Sequence, residues 1–184
     1  MIYCTSDSHF MHSRGFIYEP RGFNSVEEMN ETIIENWNKT VSMNDTIYVL
    51  GDFFLGQDYD FIDRTLKRLN GDIHLIIGNH DTPKKIEFYS QQPNISEILY
   101  AKMITYRKKN FFLCHYPTLT SGLEYSPDRC IINLYGHTHQ KEKFYEDRPY
   151  MYNVGVDAHN CTPISIDEII DDFNEEVKKC ISYL

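Results

Sequence analysis

The sequence lacks any Cys-x-x-Cys pair, and its five cysteines (Cys4, Cys114, Cys130, Cys161 and Cys180) are odd in number and far apart. That spacing excludes a thiolate zinc site and argues against a disulfide framework; it suits reduced thiols. No apolar run approaches the roughly 18 residues of a membrane helix. The opening Met1-Ile2-Tyr3-Cys4-Thr5 leads at once into Ser6-Asp7-Ser8-His9, without the basic and long apolar regions of a secretory leader. The expected setting is therefore the cytoplasm. There is no Pro/Gly/Ser-rich linker, low-complexity run or internal repeat, so residues 1–184 read as one domain. Positive charge is scarce, with 18 Lys and Arg against 27 Asp and Glu and a net charge of −9. This excludes a broad basic footprint on duplex DNA, though not a nucleic-acid substrate at a cation-bearing site.

Several phosphate chemistries are also missing. Gly51 and Gly56 have P-loop spacing, but Gln57-Asp58 stands where Lys-Ser/Thr is required. No cysteine has an arginine six positions later, as a cysteine-phosphatase loop needs, and there is no Gly-x-Ser-x-Gly elbow.

What is present has ordinary globular proportions, with 41% hydrophobic and 24% charged residues. A chain of this length can bury roughly 70% of its unfolded surface. Met1 to Thr5, Thr46 to Leu50 and Ile73 to Ile77 read as strands. A helix opens at Ser25 with a Ser25-x-x-Glu28 capping box and apolar Val26, Met29, Ile33 and Trp37. A second carries Phe61, Ile62, Leu66 and Leu69, and a short third follows Pro83. This β-α-β-α-β alternation predicts a parallel sheet. Ile98 to Tyr106 and Phe111 to Cys114 read as a hairpin, with further strands at Ile131 to Tyr135 and Tyr150 to Val154. The second half thus reads as an antiparallel sheet packed on the first, and Ile166 to Ile181 as an amphipathic helix.

The eight histidines are the feature that composition leaves unexplained. Ligands of open α/β sheets bind at the carboxyl ends of strands. Five expected strand ends deliver Asp, Asn or His there: Asp7 and His9; Asp52; Asn79, His80 and Asp81; His115; and His137 with His139. In extended chain, residues i and i+2 point the same way, so Asp7/His9 and His137/His139 can each converge on one site. Gly51, Gly78 and Gly136 precede these residues and permit close backbone approach. Oxygen and imidazole donors without thiolate suit Mn, Fe, Ni or Zn, with Mn the working choice. The donors exceed what one tetrahedral ion needs, which implies two divalent metal ions with Asp52 between them.

Asp7-Ser8-His9, Gly51-Asp52, Gly78-Asn79-His80-Asp81, His115 and Gly136-His137-Thr138-His139 together resemble the calcineurin-like metallophosphoesterases. The resemblance implies an α/β fold, a four-layer αββα sandwich of two mixed sheets. It assigns Asp7, His9 and His139 to one metal, Asn79, His115 and His137 to the other, and Asp52 to both. His9-Phe10-Met11-His12, Arg21, Met29-Asn30, Trp37-Asn38 and Asn153 to Asp157 are similar to small stand-alone bacterial and phage members. Gly22 departs from that pattern, where proline is expected.

The expected chemistry is hydrolysis of a phosphodiester or phosphomonoester, a nucleotide or other small phosphoester, by a hydroxide bridging two metals. The family role of His80 is to protonate or stabilise the leaving oxygen, with Asp81 orienting it and favouring its protonated form. Arg14, Arg21 and His12 lie in the loop after Asp7 and are the candidates for substrate binding. Lys84-Lys85 and Arg107-Lys108-Lys109 read as a solvated helix end and a hairpin tip. His74 and His159 read as structural or loop residues. A nuclease acting on short or single-stranded nucleic acid is the alternative function. A non-catalytic interaction module is opposed by the complete ligand set. The sequence predicts neither a membrane partner nor an oligomeric state.

Overall fold

The strands of the first half are apolar on both faces, which suits a sheet covered on both sides. A computed structural model describes residues 1–120, 130–146 and 148–182. Strands β1 (Ile2–Thr5), β2 (Thr46–Leu50), β3 (Asp72–Ile76) and β4 (Ile95–Leu99) run parallel in that order. Strand β10 (Ile164–Ser165) adds antiparallel beside β1. Side chains alternate between the faces. Tyr3, Ile47, Val49, Ile73 and Leu75 enter the cluster formed with the helices, while Cys4, Tyr48, Leu50 and Ile76 pack with the second sheet.

A one-turn helix α1 (Gly15–Tyr18) interrupts the loop after β1, and α2 (Val26–Thr40), α3 (Tyr59–Leu66) and α4 (Pro83–Tyr89) connect the strands. At the start of α2 the Ser25 hydroxyl accepts from the Glu28 N–H at 3.1 Å, as expected of its cap. The Glu28 carboxylate reaches one residue further back than a capping box requires, to the Asn24 N–H at 2.8 Å. Met29, Ile33 and Trp37 form the buried row of α2. Trp37 stacks on Phe53 with centroids 5.9 Å apart, and its Nε1–H donates to the Asn70 carbonyl at 2.8 Å. Asn38 holds the same corner, donating to the Arg68 carbonyl and accepting from the Asn70 N–H.

The second sheet corrects two expectations. Its order is β5-β6-β7-β9-β8, formed by β5 (Ala101–Tyr106), β6 (Lys109–Cys114), β7 (Ile131–Tyr135), β8 (Phe144–Tyr145) and β9 (Arg148–Asn153). The run from Ile98 to Tyr106 is not one hairpin arm. It breaks at exposed Tyr100, leaving β4 in the first sheet and β5 in the second. Nor is the second half wholly antiparallel: β6, β7 and β9 run parallel, and only the edge pairs β5/β6 and β8/β9 are antiparallel. The connection from β6 to β7 is long enough for the chain to return and start in the same direction. Arg107 and Lys108 close the β5/β6 hairpin with positive φ of 46° and 65°, the two-residue geometry that matches strand twist.

The inner face of the second sheet contributes Phe111, Leu113, Ile132, Leu134 and Tyr152 to the inter-sheet core. Helix α5 (Ile166–Ser182) adds Ile166, Ile169, Phe173 and Val177 to that same cluster. The side chain of Ile181, expected on this row, lies outside the described residues. The chain is thus α/β, with two mixed sheets flanked by helices. Among the described residues no helix is long and apolar enough to cross a membrane.

Trp37→Ala removes a fully buried ring and orphans a carbonyl. It is expected to lower unfolding stability by about 3–5 kcal/mol in urea denaturation. A loss under about 1 kcal/mol would show that this corner repacks around the gap.

Candidate metal centre

Three parallel strands in each sheet carry their carboxyl ends to one shared edge. From the first sheet, β1 leads to Asp7 and His9, β2 to Asp52, and β3 to Asn79, His80 and Asp81. From the second, β6 leads to His115, β7 to His137 and His139, and β9 to Asp157. The two edges are bonded to each other. Ser6 bridges Gly155, the Val156 N–H donates to the Ser6 carbonyl at 3.0 Å, and the His137 N–H donates to Asp7 Oδ2 at 2.8 Å.

The chain at these ends is not extended. Asp7, His9, Asp52, His137 and His139 have φ of 57°, 48°, 53°, 71° and 53°, the left-handed region that side chains other than glycine rarely occupy. Each such residue costs on the order of 1–3 kcal/mol and persists only when its surroundings over-determine it. Gly51 also has positive φ, 87°, and a Cβ there would lie 2.6 Å from His115 Nδ1. The extended-chain reason for convergence is therefore corrected. Asp7 and His9 do meet, but His137 and His139 diverge into different groups.

Asp7, His9 and His139 form one group of converging donors, and Asp52, His115 and His137 form another. His9 Nε2 lies 3.2 Å from His139 Nε2. Asn79 Oδ1 lies 2.9 Å from both His115 Nε2 and His137 Nδ1. Asp52 joins the groups, its Oδ2 3.6 Å from His9 Nε2 and 3.6 Å from His115 Nε2. All seven expected ligands thus come to one place.

The outward nitrogens are prepared for coordination by what holds the inward ones. The Leu50 carbonyl can only accept, so His115 Nδ1 is the donor in their 2.7 Å bond and Nε2 is left bare. Asp157 Oδ2 does the same for His139 through Nδ1 at 2.9 Å. Burial depresses His9 to about 2, so its ring is neutral. Burial also lowers His137 and raises the carboxyl of Asp7. Asp7 Oδ1 and His9 Nδ1 are buried without a hydrogen-bond partner. Bare imidazole nitrogens facing each other beside an orphaned carboxylate oxygen fit divalent cations, and the absence of thiolate favours hard or borderline ones.

His80 is half exposed at the mouth, its Nε2 4.0 Å from Asp52 Oδ2. Asp81 does not orient that ring. Its Oδ2 accepts from the Asp52 and Gly78 N–H groups, both at 2.9 Å, so it holds the two loops together. Lys85 is buried, not a solvated helix end, and donates to the Phe54 and His80 carbonyls. His12 is buried beside His9, and its Nδ1 accepts from the Arg14 N–H at 3.3 Å. Arg14 is exposed and has no ion pair among the described residues. Arg21, in contrast, has no N–H left for a phosphate. Its side chain is 2% exposed, pairs twice with Asp157 at 2.9 Å, and donates to the Asp7 and Ser8 carbonyls and to Met29. Gly22, with φ of 89°, takes a conformation closed to the expected proline. His74 bridges Asp72 and Glu97, and His159 stacks on Tyr152 and bonds the Asn153 carbonyl, both away from the centre.

Asp157 is the residue that sequence reasoning passed over. Burial alone would raise its carboxyl, but bonds from His139 and Arg21 outweigh this and hold it at about 2. It lies at the end of the Asn153 to Asp157 segment, where a sixth strand end, that of β9, was the signal available.

A family model of the calcineurin-like phosphoesterase superfamily domain matches residues 1–163. An uncharacterized protein of Methanocaldococcus jannaschii is 35% identical over 172 residues, covering 92% of this chain and 89% of that protein. The gene 66 protein of Mycobacterium phage D29 is 27% identical over 200 aligned positions, covering 95% and 98% respectively. Among solved structures, a protein of unknown function from Aquifex aeolicus matches with a TM-score of 0.70 and 28% identity, over 93% of this chain and 98% of that one.

The bond to Asp157 raises His139 above its ordinary 6.5, against the opposing effect of burial. Protonated His139 is thereby stabilising below pH 6.5, and that contribution is lost as pH rises through the raised value. Protons compete with metal for the ring, so Asp157→Asn is expected to move half-maximal Mn²⁺ loading to lower pH. At higher pH the same variant is expected to bind about 10- to 100-fold more weakly, because the ring is no longer oriented. Titration calorimetry across pH reads both effects; an unchanged midpoint and affinity would remove the role of Asp157.

Proposed function

Starting from the fact that the chain belongs to the calcineurin-like phosphoesterase superfamily and is a metal-dependent phosphoester hydrolase, we propose that it hydrolyses a small phosphoester, a nucleotide, at a two-metal centre. One observation carries this reading: the Asp52 carboxylate stands 3.6 Å from a histidine nitrogen of each group. Asp7, His9 and His139 would hold one divalent ion, Asn79, His115 and His137 the other, and Asp52 both. Bound there, Mn²⁺ or a similar ion supplies positive charge to the phosphate oxygens and lowers the pKa of water.

The chain's own groups do the rest. Hydrolysis adds a water oxygen to phosphorus and breaks the bond to the leaving oxygen, which needs a proton. His80, exposed at the mouth, is positioned to give it. Lys85 and Asp81 fix the His80 loop through its backbone, so the ring's place is set by main-chain bonds. The Arg14 N–H bond to His12 Nδ1 leaves the neutral ring's proton on Nε2, a donor for a phosphate oxygen. The guanidinium of Arg14 is a second donor. Arg21 acts from behind the centre, tying the Asp7 loop to Asp157.

A screen of mono- and diesters with added Mn²⁺ tests this reading, and Asp52→Asn is expected to lose on the order of 100-fold or more in kcat/KM. Activity surviving in that variant would assign the reaction to another site. His80→Ala, with metal still bound, is expected to lower kcat about 100- to 10,000-fold on alkyl leaving groups. The loss should be smaller on p-nitrophenyl esters, whose leaving oxygen needs no proton. Equal losses on both would remove His80 as the acid.

A further inference from the structure

Two large aromatic rings stand in solvent near the metal centre, one packed on histidines of the second donor group and the other one ring removed from His9 of the first. Phe16 in α1 is 70% exposed and packs edge-on to His12 at 5.3 Å, and His12 in turn lies 5.7 Å from His9. Tyr116, directly after His115, is 45% exposed and lies edge-on to His115 at 5.0 Å and to His137 at 4.8 Å. Neither ring belongs to either hydrophobic cluster. Single exposed apolar residues are ordinary. Two exposed rings packed on the histidines around one centre, Phe16 on His12 and Tyr116 on His115 and His137, form a pair.

We propose that Phe16 and Tyr116 are stacking platforms, and that the substrate is a phosphodiester carrying an aromatic base on each side of its phosphorus, a dinucleotide or a strand end of that size. This rests on the phosphoesterase reading above and narrows it. With the phosphate between Asp7/His9/His139 and Asp52/His115/His137, a base on one oxygen faces Phe16 and a base on the other faces Tyr116. A monoester engages only one of them. Stacking needs only a π-face, so this arrangement is tolerant of base identity. It also needs no basic track, which agrees with a net charge of −9 and with exposed Arg14 as the nearby cation.

The experiment compares thymidylyl-thymidine with glycerophosphoglycerol, a diester without rings, and reads the ratio of their kcat/KM values with Mn²⁺ present. In the wild-type chain the ratio is expected to favour the dinucleotide. Phe16→Ala is expected to reduce the ratio at least about fivefold through KM, the scale of one stacked base. Phe16 touches no metal-ligating ring, which makes it the decisive variant. Tyr116→Ala is expected to act in the same direction, and Tyr116→Phe to retain the wild-type ratio. An equal preference for the two esters, or a ratio unmoved by Phe16→Ala, would overturn the stacking proposal alone. Hydrolysis of neither diester would also overturn the stacking proposal, and the phosphoesterase reading falls only if every mono- and diester of the screen above is left intact as well.

Discussion

The centre depends on backbone held where it would not otherwise rest. Five of its donors, Asp7, His9, Asp52, His137 and His139, occupy left-handed conformations. Summed at the usual cost per residue, this is several kcal/mol of local strain. It is maintained because the carboxyl ends of two parallel strand sets are bonded edge to edge. The His137 N–H on Asp7, the Val156 N–H on Ser6 and the His115 ring on Leu50 each tie a residue of one sheet to the other. The bonds that join the sheets therefore also shape the site.

A second layer of polar contacts stands behind the donors. Arg21 reaches Asp157 and the carbonyls of the Asp7 loop, and Asp157 orients His139. Asp81 and buried Lys85 do the corresponding work for Asp52 and His80 through main-chain atoms. These charged side chains are buried and spend their hydrogen bonds on each other or on the main chain, so they bias geometry more than they bind. The exposed rim is left with His80, Arg14, Phe16 and Tyr116, which face solvent.

Much of this was legible along the chain. The strands of the first half, the α2 cap at Ser25 and the seven donors follow from apolar periodicity and from placing Asp, Asn and His after strands. The misreadings have physical causes. Tyr100 carries no mark of a sheet change, because β-formers continue through it. Parallel pairing of β6, β7 and β9 depends on where the long crossover returns, which side-chain pattern does not encode. Arg21 looks the same in sequence whether its guanidinium meets a phosphate or Asp157, a partner 136 positions away.

The sequence by itself determined the scarcity of basic residues, the parallel run of the first-half strands and the candidate metal donors at the strand ends. These are local or compositional properties, set by side-chain chemistry and spacing. Only the tertiary structure decided which donors share a group, since His137 and His139 separate and Asp7 and His9 do not. It also assigned Arg21 and Asp157 to support and left Phe16 and Tyr116 facing solvent. Those outcomes turn on backbone dihedrals and on contacts across the two sheets. Such contacts exist only once both edges have been brought together.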